Sequence, residues 1–479
     1  MIKPNKSINK PLQKALLIAC FPALFAGCQF LQYTSKPIDT LAIAEIFEAK
    51  DPAGEAFKQY LINNGYSKEQ LPIKTWGTDE LTYCALFFHP SLDVARAQWR
   101  MAEHAESAAA ERPIPNLNAN VARSNQANED IKPFAFGLSI DIPIETANKR
   151  EIRIENAQHL SQAAKLEIAQ TAWQLRNQVV QSFNEYQFNQ QQIKILTEEQ
   201  VLRQEIVTMY QKRLSLGAAS NVELSTVNLL LQTTTAELNT ANQNKLVLQS
   251  RLASNLGLPL SKVAEMNLVN ESANQISLPS SATLTDLQTS ALLNRLDIRI
   301  ALERYAAAEA KLKLEIAKQY PDLLVSPGYA YEFGDKIWSL GLSGLLTLLN
   351  KNKVAIAEAT QLREVEAAQY TALQTKVISE ANIASAEYSQ AKQTLENQQK
   401  LLAAQKNNTQ RMNSRFASGE IDRLELAYAK LEQSVAEKNV ALAYFQLKTT
   451  LNQLENTLQK PLSAGDTGKE WDKKMDGIK

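Results

Sequence analysis

Glycine and proline are scarce in this chain, and their scarcity constrains the fold. The 479 residues include only 15 Gly and 16 Pro. Between Pro143 and Pro259 there is no proline, and Gly217 is the single glycine before Gly257. Because these two residue types interrupt helices most strongly, their near-absence over such a length predicts long helices.

Residues that carry chemistry are also few. The 3 Cys and 3 His do not fall at the spacing of a metal site such as CxxC or HxxxH. No nucleophile–base pair or phosphate loop occurs at usable spacing, so the sequence predicts a protein that is not an enzyme and binds no cofactor or metal. The 51 basic and 51 acidic side chains cancel, and no global field favours nucleic acid as a partner.

The N-terminus has the layout of a secretory signal. Several lysines precede the apolar run ALLIACFPALFAG, which is too short to span a bilayer comfortably and ends at Cys28. The junction LFAGC resembles the lipobox of bacterial lipoproteins, with Phe25 where Leu is usual. We expect residues 1–27 to be removed and Cys28 to be lipidated, for example with palmitate; ordinary cleavage with an incidental cysteine is the alternative. Gln29 resembles the outer-membrane sorting pattern.

The rest of the chain reads as two copies of one plan. The segment from Arg213 to Leu224 aligns without gaps on the segment from Arg415 to Leu426, and the same offset places Asn148-Lys149 on Asn350-Lys351. Each copy starts with an Ala-rich helix, continues with a strand pair and ends in a long helical stretch. A tandem internal repeat follows from this order.

Each long helical stretch is predicted to fold back on itself at a glycine. Gly217 and Gly419 are suited to the left-handed C′ position of a helix, and Ser220-x-x-Glu223 and Asp422-x-x-Glu425 look like capping boxes that start the next helix. The first arm, from about Lys149 to Leu214, would measure roughly 100 Å at 1.5 Å per residue. Such arms require side-by-side packing.

Four segments alternate between apolar and small or polar residues. Phe134 to Ile144, for example, reads FAFGLSIDIPI. An alternation of period two with one large apolar face predicts a sheet with one face shielded from water. The predicted apolar positions are Leu117, Ala119, Val121; Phe134, Phe136, Leu138, Ile140, Ile142, Ile144; Leu323, Val325, Tyr329, Tyr331, Phe333; and Trp338, Leu340, Leu342.

The apolar face could be covered by a helix or a second sheet, or it could face lipid. Lengths near ten residues and aromatic residues toward the segment ends favour strands that cross a bilayer. We expect a tight turn at Gly334-Asp335 and a longer loop at 125–131. The four strands of one chain cannot form a closed barrel, and a barrel of eight strands has no channel wide enough for transport. Three chains, with twelve strands, are therefore the smallest assembly that can form a conducting barrel.

At this point the sequence resembles the TolC-like outer-membrane efflux proteins. The resemblance rests on the duplication, on ALFFHPSLDVA (residues 85–95) and ALLNRLDIRIA (residues 291–301), on the PNL and YPDLL segments before the strands, and on two R-x-x-x-G turns. It implies an α+β membrane protein: a trimeric 12-stranded β-barrel, four strands per chain, continuing into a long periplasmic α-helical barrel. The run from Glu145 to Ile154 is similar to that of the branch that serves heavy-metal cation pumps, with Asn148 in place of the usual Gly.

By the same resemblance, the helical tips contact a periplasmic membrane-fusion adaptor that leads to an inner-membrane pump of the resistance-nodulation-division type. The candidate adaptor contacts are Arg213, Leu216, Gly217, Arg415, Ser418 and Gly419. The candidates for a closed, acidic periplasmic entrance are Glu223, Glu420, Asp422 and Glu425.

The predicted function is a passive exit duct for drugs or metal cations in the outer membrane of a Gram-negative bacterium. Two alternatives are the outer-membrane duct of a type I protein secretion system and a non-conducting periplasmic coiled-coil tether lipoprotein. The predicted divisions are the signal (1–27), an anchored lead-in (28–80), a first repeat (81–283, β-hairpin 115–144), a second repeat (284–462, β-hairpin 321–346) and a mobile tail (463–479).

Overall fold

The computed structural model describes residues 31–125, 132–269, 289, 292–293, 295–344 and 351–462. The signal sequence with Cys28, the loop at 126–131 and the tail at 463–479 lie outside the described residues, so those expectations remain predictions. The chain divides into two units, Met1–Ala49 and Lys50–Lys479. In the first, helix α1 (Thr40–Glu48) begins at Asp39, whose carboxylate accepts hydrogen bonds from the N–H groups of Leu41 and Ala42.

The second unit is mostly helical and contains one small antiparallel sheet. Its elements are α2 (Glu55–Asn63), α3 (Thr78–Phe88), α4 (Ser91–Ala109), β1 (Asn116–Arg123), β2 (Phe134–Ile144), α5 (Lys149–Ser215), α6 (Asn221–Leu256), α7 (Leu260–Ala264), α8 (Leu296–Ala317), β3 (Leu323–Glu332), β4 (Asp335–Gly344), α9 (Lys353–Ala417) and α10 (Arg423–Leu458), with a 3-10 turn at Lys68–Gln70. None of the helices in the described ranges is long and apolar enough to cross a membrane.

The two halves have the same order of elements. A helix, a β-hairpin, a helix of 67 residues and a helix of 36 residues follow one another in the first half. In the second half the corresponding long helices have 65 and 36 residues. At about 1.5 Å per residue, each longer helix measures roughly 100 Å, as the sequence predicts.

The starts of the long helices correct one detail of the sequence alignment. The N-cap residues are Asn148 and Asn352, both in the left-handed region with φ of 55° and 47°. The structural equivalent of Asn148-Lys149 is therefore Asn352-Lys353 and not Asn350-Lys351. The sequence there reads NKNK, so either pair matches by residue type, and the second long helix is two residues shorter rather than equal in length.

The strands form one sheet in the order β1-β2-β3-β4, with every neighbouring pair antiparallel. The second hairpin closes one residue earlier than predicted. Glu332 pairs with Asp335, so Phe333 and Gly334 form the loop, with φ of 50° and 129°. Phe333 therefore lies in the turn and not on the apolar face of the strand.

The largest core joins the start of the unit to the middle of α5. Phe57, Leu61 and Trp76, which precede the region of family resemblance, are buried in it. No local pattern in the sequence predicts this packing. In addition, Lys50 Nζ donates to the carbonyls of Phe88 (2.7 Å) and Gly257 (2.9 Å). The segment from Lys50 to Trp76 is therefore part of the folded body.

Candidate functional site

The sheet separates its residues into an apolar face and a polar face. Directly opposed residues in an antiparallel ladder share a face, and the register places Leu138 between Ala119 and Tyr329, with Trp338 next in the row. The side chains of this row and its neighbours are open to solvent in the single chain: Leu138 is 50% exposed and Trp338 is 81% exposed. The predicted strands and their apolar positions are confirmed, apart from Phe333.

Aromatic side chains occupy the half of the apolar face nearest the hairpin turns. Ring centroids of Phe136 and Tyr331 are 5.4 Å apart, and those of Tyr329 and Trp338 are 4.9 Å apart. Arg123 lies beside them, with its guanidinium 5.7 Å from the centroid of the Phe134 ring. The half of this face nearest the helices is aliphatic. Aromatic and basic side chains at one end of an apolar band are typical of a membrane–water boundary.

The polar face is closely packed at its glycines. A Cβ atom on Gly137 would lie 2.2 Å from the Asn120 side-chain oxygen, and one on Gly328 would lie 2.8 Å from the Ser339 hydroxyl. In β2 the apolar side chains are exposed, whereas Ala135 on the polar face is buried. These contacts are those expected of a sheet that curls toward its polar face.

The base of the sheet is tied to the helices by the Glu145 to Ile154 run. Lys149 is buried, and its Nζ donates to the Tyr320 carbonyl (2.6 Å) and to Asp322 Oδ1 (2.7 Å). Arg153 binds Glu145 at 2.6 Å and donates to carbonyl groups at the end of α4. These side chains therefore have structural partners, and within the described ranges no group of three potential metal ligands occurs.

At the other end of the long helices, the two predicted reversals have the same geometry. Gly217 and Gly419 have φ of 73° and 77°. The N–H of Ala218 bonds to the Arg213 carbonyl at 2.8 Å, and the N–H of Glu420 bonds to the Arg415 carbonyl at 2.9 Å. These are the 6→1 bonds of a Schellman motif, so both glycines end helices as the sequence predicts.

The helices that follow begin with different caps. Ser220 and Glu223 form the predicted reciprocal capping box, with Ser220 N–H to Glu223 Oε2 at 2.7 Å and Glu223 N–H to Ser220 Oγ at 3.2 Å. The hydrogen bonds from the Ser220 backbone and hydroxyl lower the pKa of Glu223. Asp422 accepts from the Glu425 N–H at 2.9 Å, but no bond from the Glu425 side chain completes a box. The second predicted capping box is therefore wrong in its Glu425 half, because a single carboxylate suffices as N-cap.

The structure brings the two reversals together. Arg213 of α5 forms an ion pair with Asp422, the N-cap residue of α10. Nearby, Arg423 contacts Glu205 at 3.3 Å. Two predicted residues, one from each reversal, are thus direct partners.

A second link and an apolar cluster support this contact. The Tyr428 hydroxyl donates to Tyr210 Oη at 3.4 Å, and burial together with this bond raises the pKa of Tyr428 to about 12. The cluster beneath comprises Ile206, Val207, Val227, Leu424, Ala427 and Leu431. Sequence reasoning missed Tyr210, Tyr428 and Glu205; an aromatic residue within three turns of each tip glycine was the available signal.

The other predicted tip residues lie on the surface. Leu216 is 73% exposed and immediately precedes Gly217. Glu420 contacts Arg415 at 3.3 Å and accepts from the Ser418 hydroxyl at 3.0 Å, all within the second reversal. Glu223 and Glu425 are exposed. The tips therefore combine an internal ion pair, Arg213–Asp422, with an exposed surface that a partner can contact.

Comparisons with known proteins agree with this architecture. Residues 81–258 match the family model described as "Outer membrane efflux protein". No curated protein sequence matches the chain. The matched family is one of efflux proteins, in agreement with the predictions of an outer-membrane efflux function and of a protein that is not an enzyme.

Solved channel structures share the fold at low sequence identity. The outer-membrane channel OprN is 19% identical, with a TM-score of 0.64, and the match covers 90% of this chain and 99% of OprN. VceC from Vibrio cholerae is 16% identical, with a TM-score of 0.65 and coverages of 80% and 96%. The Campylobacter jejuni CmeC outer membrane channel is 14% identical, with a TM-score of 0.66 and coverages of 100% and 97%. The resemblance predicted from the sequence is thereby confirmed: residues 81–258 match the outer membrane efflux protein family, and the chain has the fold of TolC-like outer-membrane channels.

Proposed function

We propose that this chain is one protomer of a trimeric outer-membrane channel, the exit duct of a tripartite efflux system. Through a periplasmic membrane-fusion adaptor it receives drugs or metal cations from an inner-membrane pump, of the resistance-nodulation-division type. The observation that carries the proposal is the sheet: its apolar face is exposed in β1, β2 and β4 and half-buried in β3, and the sheet continues directly into helices roughly 100 Å long.

Lipid is the solvent that suits this apolar face. In water, exposure of so many neighbouring apolar side chains would cost roughly 25 cal/mol per Å² of apolar surface. The strands have 8 to 11 residues, which is near the length that a tilted strand needs to cross the hydrocarbon layer. The crowded polar face is suited to line a water-filled bore.

The two edges of the sheet favour closure with further copies. β1 and β4 are the edges, and because all neighbours are antiparallel, β4 of one copy can pair antiparallel with β1 of the next. In lipid an unpaired edge would leave backbone groups unsatisfied at several kcal/mol each. Three copies supply twelve strands, the smallest closed set in this series that leaves a bore.

The helices and their tips fit a periplasmic tunnel with a docking end. Around each reversal the surface is exposed, with Leu216 and Gly217 in the first and Ser418 and Gly419 in the second. An exposed apolar side chain beside small residues and a helix end is a feature that an adaptor hairpin can contact. We propose lipid attachment at Cys28 as a further anchor on the periplasmic side.

The topology can be tested by surface labelling of intact cells with a membrane-impermeant thiol reagent. Asp335→Cys reports on the turn end of the sheet and Ser418→Cys on the helical tip; the parent chain is the control, since Cys84 is fully buried. Labelling of Asp335→Cys without labelling of Ser418→Cys is expected. If Asp335→Cys reacts only after the envelope is breached, the sheet does not cross the outer membrane, and the periplasmic tether is the better explanation.

The partner can be identified by crosslinking from the tip. A photoreactive side chain at Leu216 should capture a periplasmic adaptor, while the same group at Val354, an exposed residue at the opposite end of the long helices, should not. Mass spectrometry of the product separates the two duct functions. An adaptor that associates with a resistance-nodulation-division pump supports efflux, and one from a type I secretion system would overturn it.

A further inference from the structure

We propose that Asp141 is a specificity-determining residue of the duct and makes its barrel segment favour cations over anions. The inference rests on the proposed function, because it requires the polar face of the sheet to line the bore. Asp141 lies in β2, between Asn116 of β1 and Ser326 of β3 in the same cross-strand row.

Asp141 is the isolated charge of the polar face. Among the described strand residues on this face, the only other ionisable side chains are Glu332 and Asp335, which flank the turn at the far end. Basic strand residues such as Arg123 and Lys336 lie on the apolar face instead, opposite Phe134 and Tyr331. The charge that the polar face presents is therefore entirely negative.

The carboxylate of Asp141 is held in place from both sides. Asn118 Nδ2 donates to Asp141 Oδ2 at 2.6 Å, and the Ser326 hydroxyl donates to Asp141 Oδ1 at 2.6 Å. Both oxygens thus accept hydrogen bonds, which fixes the orientation of the carboxylate. A fixed anion of this kind exerts a steady local field on passing solutes.

The size of the barrel makes this field relevant to transport. A closed barrel of twelve strands has a backbone radius of about 12 Å, from a strand spacing of about 4.8 Å and a tilt near 40°. Three carboxylates that reach a few ångströms inward lie about 8 Å from the axis, which is one Debye length at physiological salt. A solute in the bore therefore cannot avoid their potential, and an acidic ring favours cations.

Asp141 also ties three strands together, and a purely structural role would not affect selectivity. The variant Asp141→Asn separates the two roles. An amide oxygen can still accept from Asn118, and the amide nitrogen can donate to the Ser326 hydroxyl, so the hydrogen-bond geometry is retained while the charge is lost.

The test uses a cysteine reporter on the same face. Ser139→Cys, two residues away on β2 and about 7 Å along the strand, is introduced into the full-length chain with and without Asp141→Asn. The protein is purified and reconstituted in phosphatidylcholine vesicles. The rates of reaction with a cationic and an anionic methanethiosulfonate reagent are then measured by mass spectrometry, with the parent chain as the blank.

The ratio of the cationic to the anionic rate reports the local potential. It should fall about threefold or more with Asp141→Asn, since the reporter lies within a Debye length of the charge. The matched control Asp335→Asn, about 13 Å from the level of the reporter along the strands, should change the ratio by less than about twofold. An unchanged ratio with Asp141→Asn would overturn the inference.

Two further arms keep the test decisive. If Asp141→Asn does not assemble, the measurement is made on the Ser139→Cys protein that retains Asp141, at 50 mM and at 1 M KCl. The higher salt concentration should bring the rate ratio close to that of the free reagents. A rate ratio insensitive to salt would refute a charge effect. If the reporter reacts with neither reagent, the polar face does not line water. That result would reject the proposed duct itself, and it differs from reaction with both reagents at the rate ratio of the free reagents, which rejects only the role of Asp141.

Discussion

Arg213 and Asp422 form an ion pair that joins the end of one long helix to the start of the return helix of the other hairpin. Asp422 uses its two oxygens for different purposes: Oδ1 accepts from the Glu425 N–H and caps α10, while Oδ2 binds the guanidinium. One carboxylate therefore both starts a helix and holds the two reversals together.

If the tips close the channel entrance, loss of this ion pair should increase the fraction of channels whose entrance is open. Asp422→Asn keeps a good N-cap but removes the charge. A half-exposed pair is worth about 0.5 kcal/mol, so three copies contribute about 1.5 kcal/mol, which corresponds to roughly tenfold in open population. We expect about that rise in open probability in planar lipid bilayers.

Glu425→Gln is the matched control for this prediction, since it removes a charge from the same helical turn without touching the Arg213 pair. Arg213→Gln should have the same effect as Asp422→Asn, and the double variant should add little to either. Full additivity of the two single variants would show that this ion pair does not hold the entrance closed.

Two glycines in left-handed conformation should respond differently to alanine. Gly217 has φ of 73°, and no atom lies within 4 Å of a Cβ atom added to it. Gly257 has φ of 68°, and a Cβ atom added to it would lie 2.8 Å from His89 Cα and 2.9 Å from the Phe88 carbonyl oxygen. Gly217→Ala should therefore lower the free energy of unfolding by about 1 kcal/mol, through conformational strain alone. Gly257→Ala should cost about 3 kcal/mol or more, because backbone must also move.

Thermal unfolding of the detergent-solubilised protein, followed by circular dichroism, distinguishes these costs. The larger drop in melting temperature should belong to Gly257→Ala. Equal drops would mean that the close approach of Gly257 to the end of α3 relaxes without penalty.

The sequence predicted the elements of this fold better than the contacts between them. Gly217, Gly419 and the alternation in FAFGLSIDIPI act locally, through backbone conformation and period, and the structure has those features where the sequence places them. The Arg213–Asp422 pair depends on how two distant hairpins pack, and no local pattern encodes that. For the same reason the NKNK segment was aligned by residue type on the wrong pair, because the left-handed N-cap at Asn352 is visible only in the backbone.

A buried carboxylate at the base of the second hairpin should make stability depend on pH. Burial raises the pKa of Glu315, but hydrogen bonds from Lys318 (2.8 Å) and Asn352 (3.0 Å) outweigh it, and the net pKa is lowered. A carboxylate with a lowered pKa in the folded state stabilises the fold above its ordinary pKa. That contribution is lost as pH falls through the lowered value.

Glu315→Gln should therefore lower stability at pH 7 by about 1–3 kcal/mol. The difference from the parent should shrink as the pH falls below the ordinary range of a glutamate. Melting temperatures at pH 7 and pH 3 measure this, and Glu309→Gln, on an exposed position of the same helix, should change stability by less than about 0.5 kcal/mol at either pH. A constant difference across pH would exclude the ionised form of Glu315 as the cause.

The two faces of β4 offer the most direct test of a sheet embedded in lipid. Leu340 lies on the apolar face, 76% exposed in the single chain, and Ser339 is its neighbour on the polar face. A lysine on the lipid side of a barrel costs about 2–4 kcal/mol near the bilayer midplane, whereas one on the water side costs far less. Leu340→Lys should therefore reduce the amount of assembled protein in outer-membrane fractions severalfold, and Ser339→Lys should assemble and change only conduction. If Leu340→Lys assembles as well as Ser339→Lys, the apolar face does not meet lipid, and a protein cover must be sought for it.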